Sequence, residues 1–224
     1  MKNYSATAVP LWWAIDTTVS PLRHLGRLVR PEMLRLFTLE HGAVAYRADF
    51  ALYTCATASL FAGLLFWSPH AHWLQSCALV TTGLLSWTLV EYVMHRFILH
   101  GLEPFCSWHA AHHARPTALI FTPTLLSASL IGVLVFMPAV LCGSIWQACA
   151  LTLGVLAGYL AYTVTHHATH HWRARSTWLR RRKGWHARHH HLTGGCYGVT
   201  SGIWDYVFST NVFPTIRQAE QGRL

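Results

Sequence analysis

The sequence predicts an all-α membrane protein with four transmembrane helices and a cytosolic, histidine-rich helical cap. Three observations carry that prediction. Apolar residues make up 53% of the 224 positions and charged residues only 11%, with 11 tryptophans, which is a membrane-protein balance. Charge-free stretches at 50–67, 73–90, 120–142 and 145–165 are each long enough to cross a bilayer. Thirteen of the 17 histidines fall in four short clusters, each at the edge of an apolar segment. The formal charge of +9 would suit nucleic acid, but the spans give the basic residues a simpler role in topology, so no nucleic-acid partner is expected.

Residues 1–30 show little periodicity; Trp12 and Trp13 suit anchors at headgroup level, and Asp16 and Pro21 interrupt any signal-peptide pattern. From Pro31 to Tyr46, apolar and charged residues mix as in a short interfacial helix, with Pro31 at a first helical position. The first two spans are joined by the tight turn Ser68-Pro69-His70. The second runs on through Glu91 to about His100, so that residues 73–100 reach roughly 40 Å, about 10 Å beyond the hydrocarbon core. The last two spans are joined at Cys142-Gly143-Ser144, and the fourth continues as helix through His171. After His191, the glycines at 194, 195 and 198 precede an apolar stretch from Gly202 that is too short to span and reads as a lid or interfacial helix.

All 17 Lys and Arg lie in 1–47, 96–115 or 173–223, and none lies in the two short turns. Four spans then put every cation on one side, which is the cytoplasmic side by the positive-inside rule. A bacterial inner membrane is preferred to the endoplasmic reticulum. The run Arg180-Arg181-Arg182-Lys183 reads as a solvated or headgroup-facing surface. Six cysteines show no CxxC framework and read as small buried hydrophobes.

The histidine clusters stand on the same side as the cations. His109, His112 and His113 have i, i+3, i+4 spacing, and His186, His189 and His190 repeat it; His166 and His170 are one turn apart. His95 and His100 lie about 140° apart on an ideal helix, so they need either a bent helix end at Gly101 or two different metals. Cationic rings on one face would repel, whereas neutral rings around a metal are favourable. His24, His41, His70 and His72 read as ordinary surface or core residues. Ten imidazoles exceed one ion's needs, and two ions with about five ligands each would use them. Imidazole suits iron, zinc, copper and nickel, and no HExxH motif supplies a hydrolytic base. Glu91, Glu103 and Asp205 are candidates to orient imidazole N–H groups. A redox pair at this depth can reach a lipid chain and, with iron, suits attack on an unactivated C–H bond.

EYVMHRFILH, HAAHH, HHATHH and HARHHH, in that order, resemble the motifs of the fatty acid hydroxylase / sterol desaturase superfamily. HHARPTALIFTP and GGCYGVTSGIWDYVFST resemble the fatty acid (ceramide) 2-hydroxylase branch. The resemblance implies a hydroxylase domain at 48–213, between an N-terminal segment (1–47) and a tail (214–224). It implies a di-iron centre on His95, His100, His109, His112, His113, His166, His170, His186, His189 and His190, with zinc able to replace iron in isolated protein. It also implies O2 as co-substrate, a membrane lipid substrate and a separate cytochrome b5- or ferredoxin-like electron donor. His167, His171 and His191 fall outside the usual ligand positions. Ala118 and Thr163 stand where Asp occurs in the 2-hydroxylases, and His167 where Tyr is common. Lipid hydroxylation is therefore the expected activity. A desaturase or a sterol or carotenoid oxidase is the alternative, and a metal transporter or a structural zinc protein ranks behind.

Overall fold

The computed structural model describes residues 42–120, 122–192 and 194–212, all within the unit Leu39–Leu224. The Trp12 and Trp13 anchors, the signal-peptide reading, His24, His41 and most of the expected interfacial helix lie outside the described residues. The regular elements are helices: α1 (Ala43–Trp67), α2 (Trp73–Val93), α3 (Phe105–Ala114), α4 (Thr124–Ile131), α5 (Met137–Cys142), α6 (Ile145–His171), α7 (Thr177–His191) and α8 (Ile203–Val207). Two wider π-turns, Met94–Leu99 and Gly132–Phe136, continue α2 and join α4 to α5.

Four helical stretches are long and apolar enough to cross a membrane: Ala43–Trp67, His70–Leu99, Thr124–Cys142 and Ile145–His171. The expected spans match them with shifted ends. The first helix already begins at Ala43, and the third begins only after Pro123. Ser144 starts α6 with a capping box: its Oγ accepts from Gln147 N at 3.3 Å, and Gln147 Oε1 accepts from Ser144 N at 2.8 Å. Within the third stretch, Pro138 has no N–H and its ring crowds the carbonyl one turn back; the π-turn just before it widens the helix there.

α6 is the central helix. In its apolar window 56% of residues are buried, against 6–17% in the other three spans. Its closest partner is α2, and the contact runs through glycine: a Cβ on Gly154 would collide with the carbonyl oxygen of Val80, and one on Gly83 with that of Leu151. Small residues let the backbones approach where apolar lipid gives helices little reason to associate. Toward α1, Tyr53, Leu156 and Tyr159 form a core cluster, with the Tyr53 and Tyr159 rings 4.7 Å apart and edge to face. Leu64, Ala150 and Leu153 form a second. Polar pairs tie α1 to α4: Thr124 Oγ1 donates to Asp49 Oδ1 at 2.5 Å, and Tyr53 Oη and Ser127 Oγ are 2.7 Å apart.

The outward faces are apolar. Phe61, Leu74, Leu125 and Leu141 are all exposed, which suits lipid and not water. The reading of the cysteines as buried is corrected by the same faces. Cys55, Cys77 and Cys142 are exposed, Cys106 and Cys149 half-exposed, and only Cys196 is buried; all six are free thiols. In lipid a small hydrophobe gains nothing further from burial, so the apolar runs carry them outward.

Gly154→Val is expected to leave membrane insertion intact but to lower stability by about 1–3 kcal/mol through overpacking against Val80. Thermal unfolding in detergent would measure it, with Gly63→Ala as the neutral comparator, because a Cβ there meets nothing.

Candidate metal centre

Two histidine clusters stand at the ends of α2 and α6, which rise from the bundle, and two on the short helices α3 and α7. The i, i+3, i+4 sets of α3 and α7 present one face each, as do His166 and His170 near the end of α6. His95 and His100 use neither of the two expected solutions. Between them the helix is a π-turn, whose i→i+5 bonding sets residues five apart nearly above one another. Their rings lie 5.4 Å apart at 30°.

The rings gather into two groups. His95, His100, His109, His113 and His189 form one, and His112, His166, His170 and His186 the other, with the candidate ligand atoms of each group within 4.8 Å of one another. His190 joins the second group's edge, its Nε2 being 3.1 Å from that of His186. Neighbouring Nε2 atoms stand close: 3.0 Å for His95–His109, His109–His113 and His113–His189, 3.1 Å for His112–His166 and 2.8 Å for His170–His186.

These distances test the fit to a metal. Two nitrogens at adjacent sites of an ion with bonds near 2.1 Å are about 3 Å apart. At His95 and His189 the tautomer is fixed as well. Nδ1 of His95 meets the carbonyl of Tyr197 at 2.5 Å, and Nδ1 of His189 that of Gly195 at 3.0 Å. A carbonyl only accepts, so Nδ1 carries the proton and Nε2 offers its lone pair. Lone pairs gathered this closely repel each other, and a cation among them satisfies several at once. The residues present therefore fit a metal in each group.

The two carbonyls belong to a loop that sequence reasoning did not connect to the rings. Gly194 and Cys196 have positive φ, 76° and 57°, and the turn they make brings the carbonyls on either side of Cys196 to His95 and His189. A non-glycine residue in this region costs roughly 1–2 kcal/mol, and buried carboxylates hold the loop against that cost. Asp205 accepts from Tyr197 N and Gly198 N, both at 2.8 Å, and from Trp185 Nε1 at 3.2 Å. Glu91 accepts from Val199 N at 2.6 Å, Thr200 N at 2.9 Å and Thr200 Oγ1 at 2.5 Å. Neither carboxylate bonds an imidazole: their effect on His95 runs through the Tyr197 carbonyl. Glu103 is exposed and bonds Ser107 instead. Glycines near position 195 and an Asp ten residues on were visible in the sequence, but backbone acceptors carry no side-chain signature.

Burial, then neighbouring rings, holds the cap histidines neutral: His100 is lowered to about 4, His112 to about 3 and His190 to about 2. His189 is likewise lowered to about 3 by burial. His109 and His186, pressed from several sides, lie well below the usual range. Neutral rings are the ligand form. A cavity opens beside both groups. Its lining includes His109, His112 and His166 together with Phe50, Tyr159 and Tyr162.

The description "fatty acid hydroxylase" fits a family model over residues 80–210, more than half of the chain. The chain belongs to the fatty acid hydroxylase family. The similarity extends to Arabidopsis thaliana dihydroceramide fatty acyl 2-hydroxylases. FAH2 is 33% identical over 63% of this chain and 62% of its own length, and FAH1 is 28% identical over 84% and 87%. The Schizosaccharomyces pombe ceramide very long chain fatty acid hydroxylase scs7 is 35% identical over 57% of this chain, which spans 40% of it. A solved structure of full-length scs7p, in which only the hydroxylase domain is visible, superposes with a TM-score of 0.66 at 24% identity. It covers 79% of this chain and 69% of that one, and shows the shared fold.

Ala118, Thr163 and His167, the departures from the 2-hydroxylase pattern, join neither histidine group. Thr163 lines the cavity. Ala118 N–H bonds Arg115 O at 2.9 Å in the loop after α3. His167 Nδ1 lies 3.0 Å from Tyr46 Oη, and its ring stacks on His171. His191 is exposed, as are His70 and His72 in their turn.

Glu91→Ala leaves the buried Val199 N–H and the part-buried Thr200 N–H without their acceptor and loosens the loop that carries the Tyr197 carbonyl. Affinity for a divalent metal is expected to fall about 10- to 100-fold, measured by chelator competition on purified protein. Unchanged affinity would show that the loop does not act on His95.

Proposed function

We propose that this chain is an integral-membrane, non-haem di-iron hydroxylase that converts a C–H bond of a fatty-acyl lipid to C–OH. The observation that carries the reading is a cavity lined in part by Phe50, Leu99, Phe105 and Trp108 that meets two convergent groups of histidines, held by the ends of two membrane-length helices and by two shorter cap helices. Ten histidines would hold the two ions: His95, His100, His109, His113 and His189 one, and His112, His166, His170, His186 and His190 the other. Relatives named for 2-hydroxylation of fatty acyl groups support an acyl substrate, and no feature of the site favours desaturation.

The overall balance is R–H + O2 + 2 e⁻ + 2 H⁺ → R–OH + H2O. Bound iron would supply the redox change that activates O2, which zinc cannot, although zinc can take the same ligands. The chain's own residues do the rest. Phe50, Leu99, Phe105 and Trp108 line the cavity, where they would hold an acyl chain and exclude water. Backbone carbonyls of Gly195 and Tyr197 keep protons on Nδ1 of His189 and His95, so that Nε2 stays a ligand. Two electrons come from outside, from a cytochrome b5- or ferredoxin-like protein. The hydroxylase domain is assigned to 48–213, with its site on the cytoplasmic face of the membrane.

Purified protein expressed with iron should hold close to two metals per chain, zinc counting with iron. His112→Ala, which removes a ring that is 4% exposed and faces His166, should abolish hydroxylated lipid while leaving membrane insertion unchanged. His70→Ala, in the turn across a core of roughly 30 Å, should keep full product. Lipid mass analysis with expression checked by blot decides it; equal product from His112→Ala and wild type would overturn the assignment.

The topology makes a separate expectation. In a cysteine-free background, a cysteine at Ala71 should react with an impermeant thiol reagent added outside intact cells, and one at Ala114 should not. The reverse pattern would put the site on the other face.

A further inference from the structure

Resting on the hydroxylase reading, we infer that the outer face of α7 is the docking surface for an acidic one-electron carrier protein. Two carrier molecules are each oxidised by one electron per turnover, and those electrons are consumed in reducing O2 to the new hydroxyl and water.

α7 is two-faced in a way that fits this task. Taking 100° per residue, Thr177, Arg180, Arg181, Gly184, Ala187 and His191 share one face, and all are exposed. On the opposite side, His186 and His189 are buried, one in each histidine group. A redox group resting on the outer face is thus separated from both groups by one helix, about 10 Å across. In the middle of that face are Gly184 and Ala187, so a partner can approach the backbone closely; a Cβ on Gly184 would meet nothing.

Charge selects the partner. Residues 172–204 contain seven Lys or Arg and no Asp or Glu. The structure divides the basic run that looked uniform in sequence. Lys183 Nζ turns back to the carbonyl of Trp172 at 2.7 Å, and Arg182 lies half-buried over the Trp185 ring. Arg173, Arg175, Arg180 and Arg181 remain exposed, with the Arg180 guanidinium lying along the surface to donate to Arg175 O at 3.3 Å and Thr177 Oγ1 at 2.9 Å. A helix face resting on lipid carries large apolar residues among its cations. The outer face of α7 has none; Trp178 stands about a third of a turn away. Apolar exposure flanks this face and does not lie within it: Trp172 and Trp178 are 50% and 54% exposed to one side, and Ile203, Tyr206 and Val207 on α8 are 57%, 59% and 60% exposed. The headgroup-facing reading of the run thus gives way to a protein partner of opposite charge, which speeds encounter and fixes register.

The test uses the full chain, metal-loaded, in neutral phosphatidylcholine nanodiscs. The carriers are a reduced plant-type ferredoxin and the soluble haem domain of cytochrome b5. At least one should bind, with affinity falling as salt rises. Arg180→Glu with Arg181→Glu should weaken that binding about tenfold or more. Gly184→Trp, which fills the middle of that face, should weaken carrier binding and slow carrier oxidation by the protein. Product from a single turnover, in which the protein is reduced anaerobically by dithionite, freed of excess reductant and then given O2, should be unchanged in every variant. Binding by neither carrier, or equal binding after charge reversal, would overturn the docking surface. So would a nitroxide on Gly184→Cys relaxed by lipid-dissolved oxygen and not by a water-soluble nickel chelate, which would return this face to the headgroups. Failure of wild type to form product even with dithionite would instead overturn the hydroxylase reading, and leave the binding results to judge the surface.

Discussion

Crowded imidazole lone pairs are the constraint on which the rest of the structure depends. Nε2 atoms 2.8–3.1 Å apart, in rings with little access to water, cannot be relieved by taking up protons, because burial and neighbouring rings both disfavour the charged form. The rings must be held there by everything behind them. Their backbones come from helix ends, and at His95 and His189 the proton on Nδ1 is held by loop carbonyls.

The loop that supplies those carbonyls is itself an ordered cost. Cys196 sits at φ 57°, buried, and no local feature of the loop would keep it there. Asp205 from α8 and Glu91 from α2 satisfy consecutive backbone N–H groups at 197–200, so that two buried carboxylates have neutral amide partners. α8, five residues long, is placed by this bond set and by Tyr92, whose Oη lies 3.0 Å from Thr210 Oγ1. A short apolar segment that sequence reading could only describe as a lid or interfacial helix thus positions the ring donors from the far side.

Beneath the cap, the membrane bundle sets the height and direction of the ligand-bearing helices. The glycine contact of α2 with α6 brings two of the four histidine-bearing elements together as a rigid pair. The π-turn at Met94–Leu99 then adjusts only the end of α2, where His95 and His100 must converge. Asp49, which lines the cavity, and Tyr53 fasten α1 to the start of α4, so the cavity is bordered by elements with fixed spacing.

The four spans, their approximate locations and the histidines that gather in the cap could be read from the chain by itself. Each depends on composition and on i, i+3, i+4 spacing, and the bilayer forces such spacing into helices by requiring every backbone group to be satisfied internally. The partition of the rings into two groups was not legible, because His112 and His113 are neighbours in sequence yet belong to different groups. Nor was the convergence of His95 with His100, which needed a π-turn that no residue announces. Glu91 and Asp205 were noticed as acids near the histidines, but their partners proved to be backbone N–H groups of a distant loop. Those outcomes belong to the tertiary structure for one physical reason. A periodic pattern encodes a direction on a helix, whereas a ligand group needs positions in space, and those are set only when the helices pack and the loop closes over them.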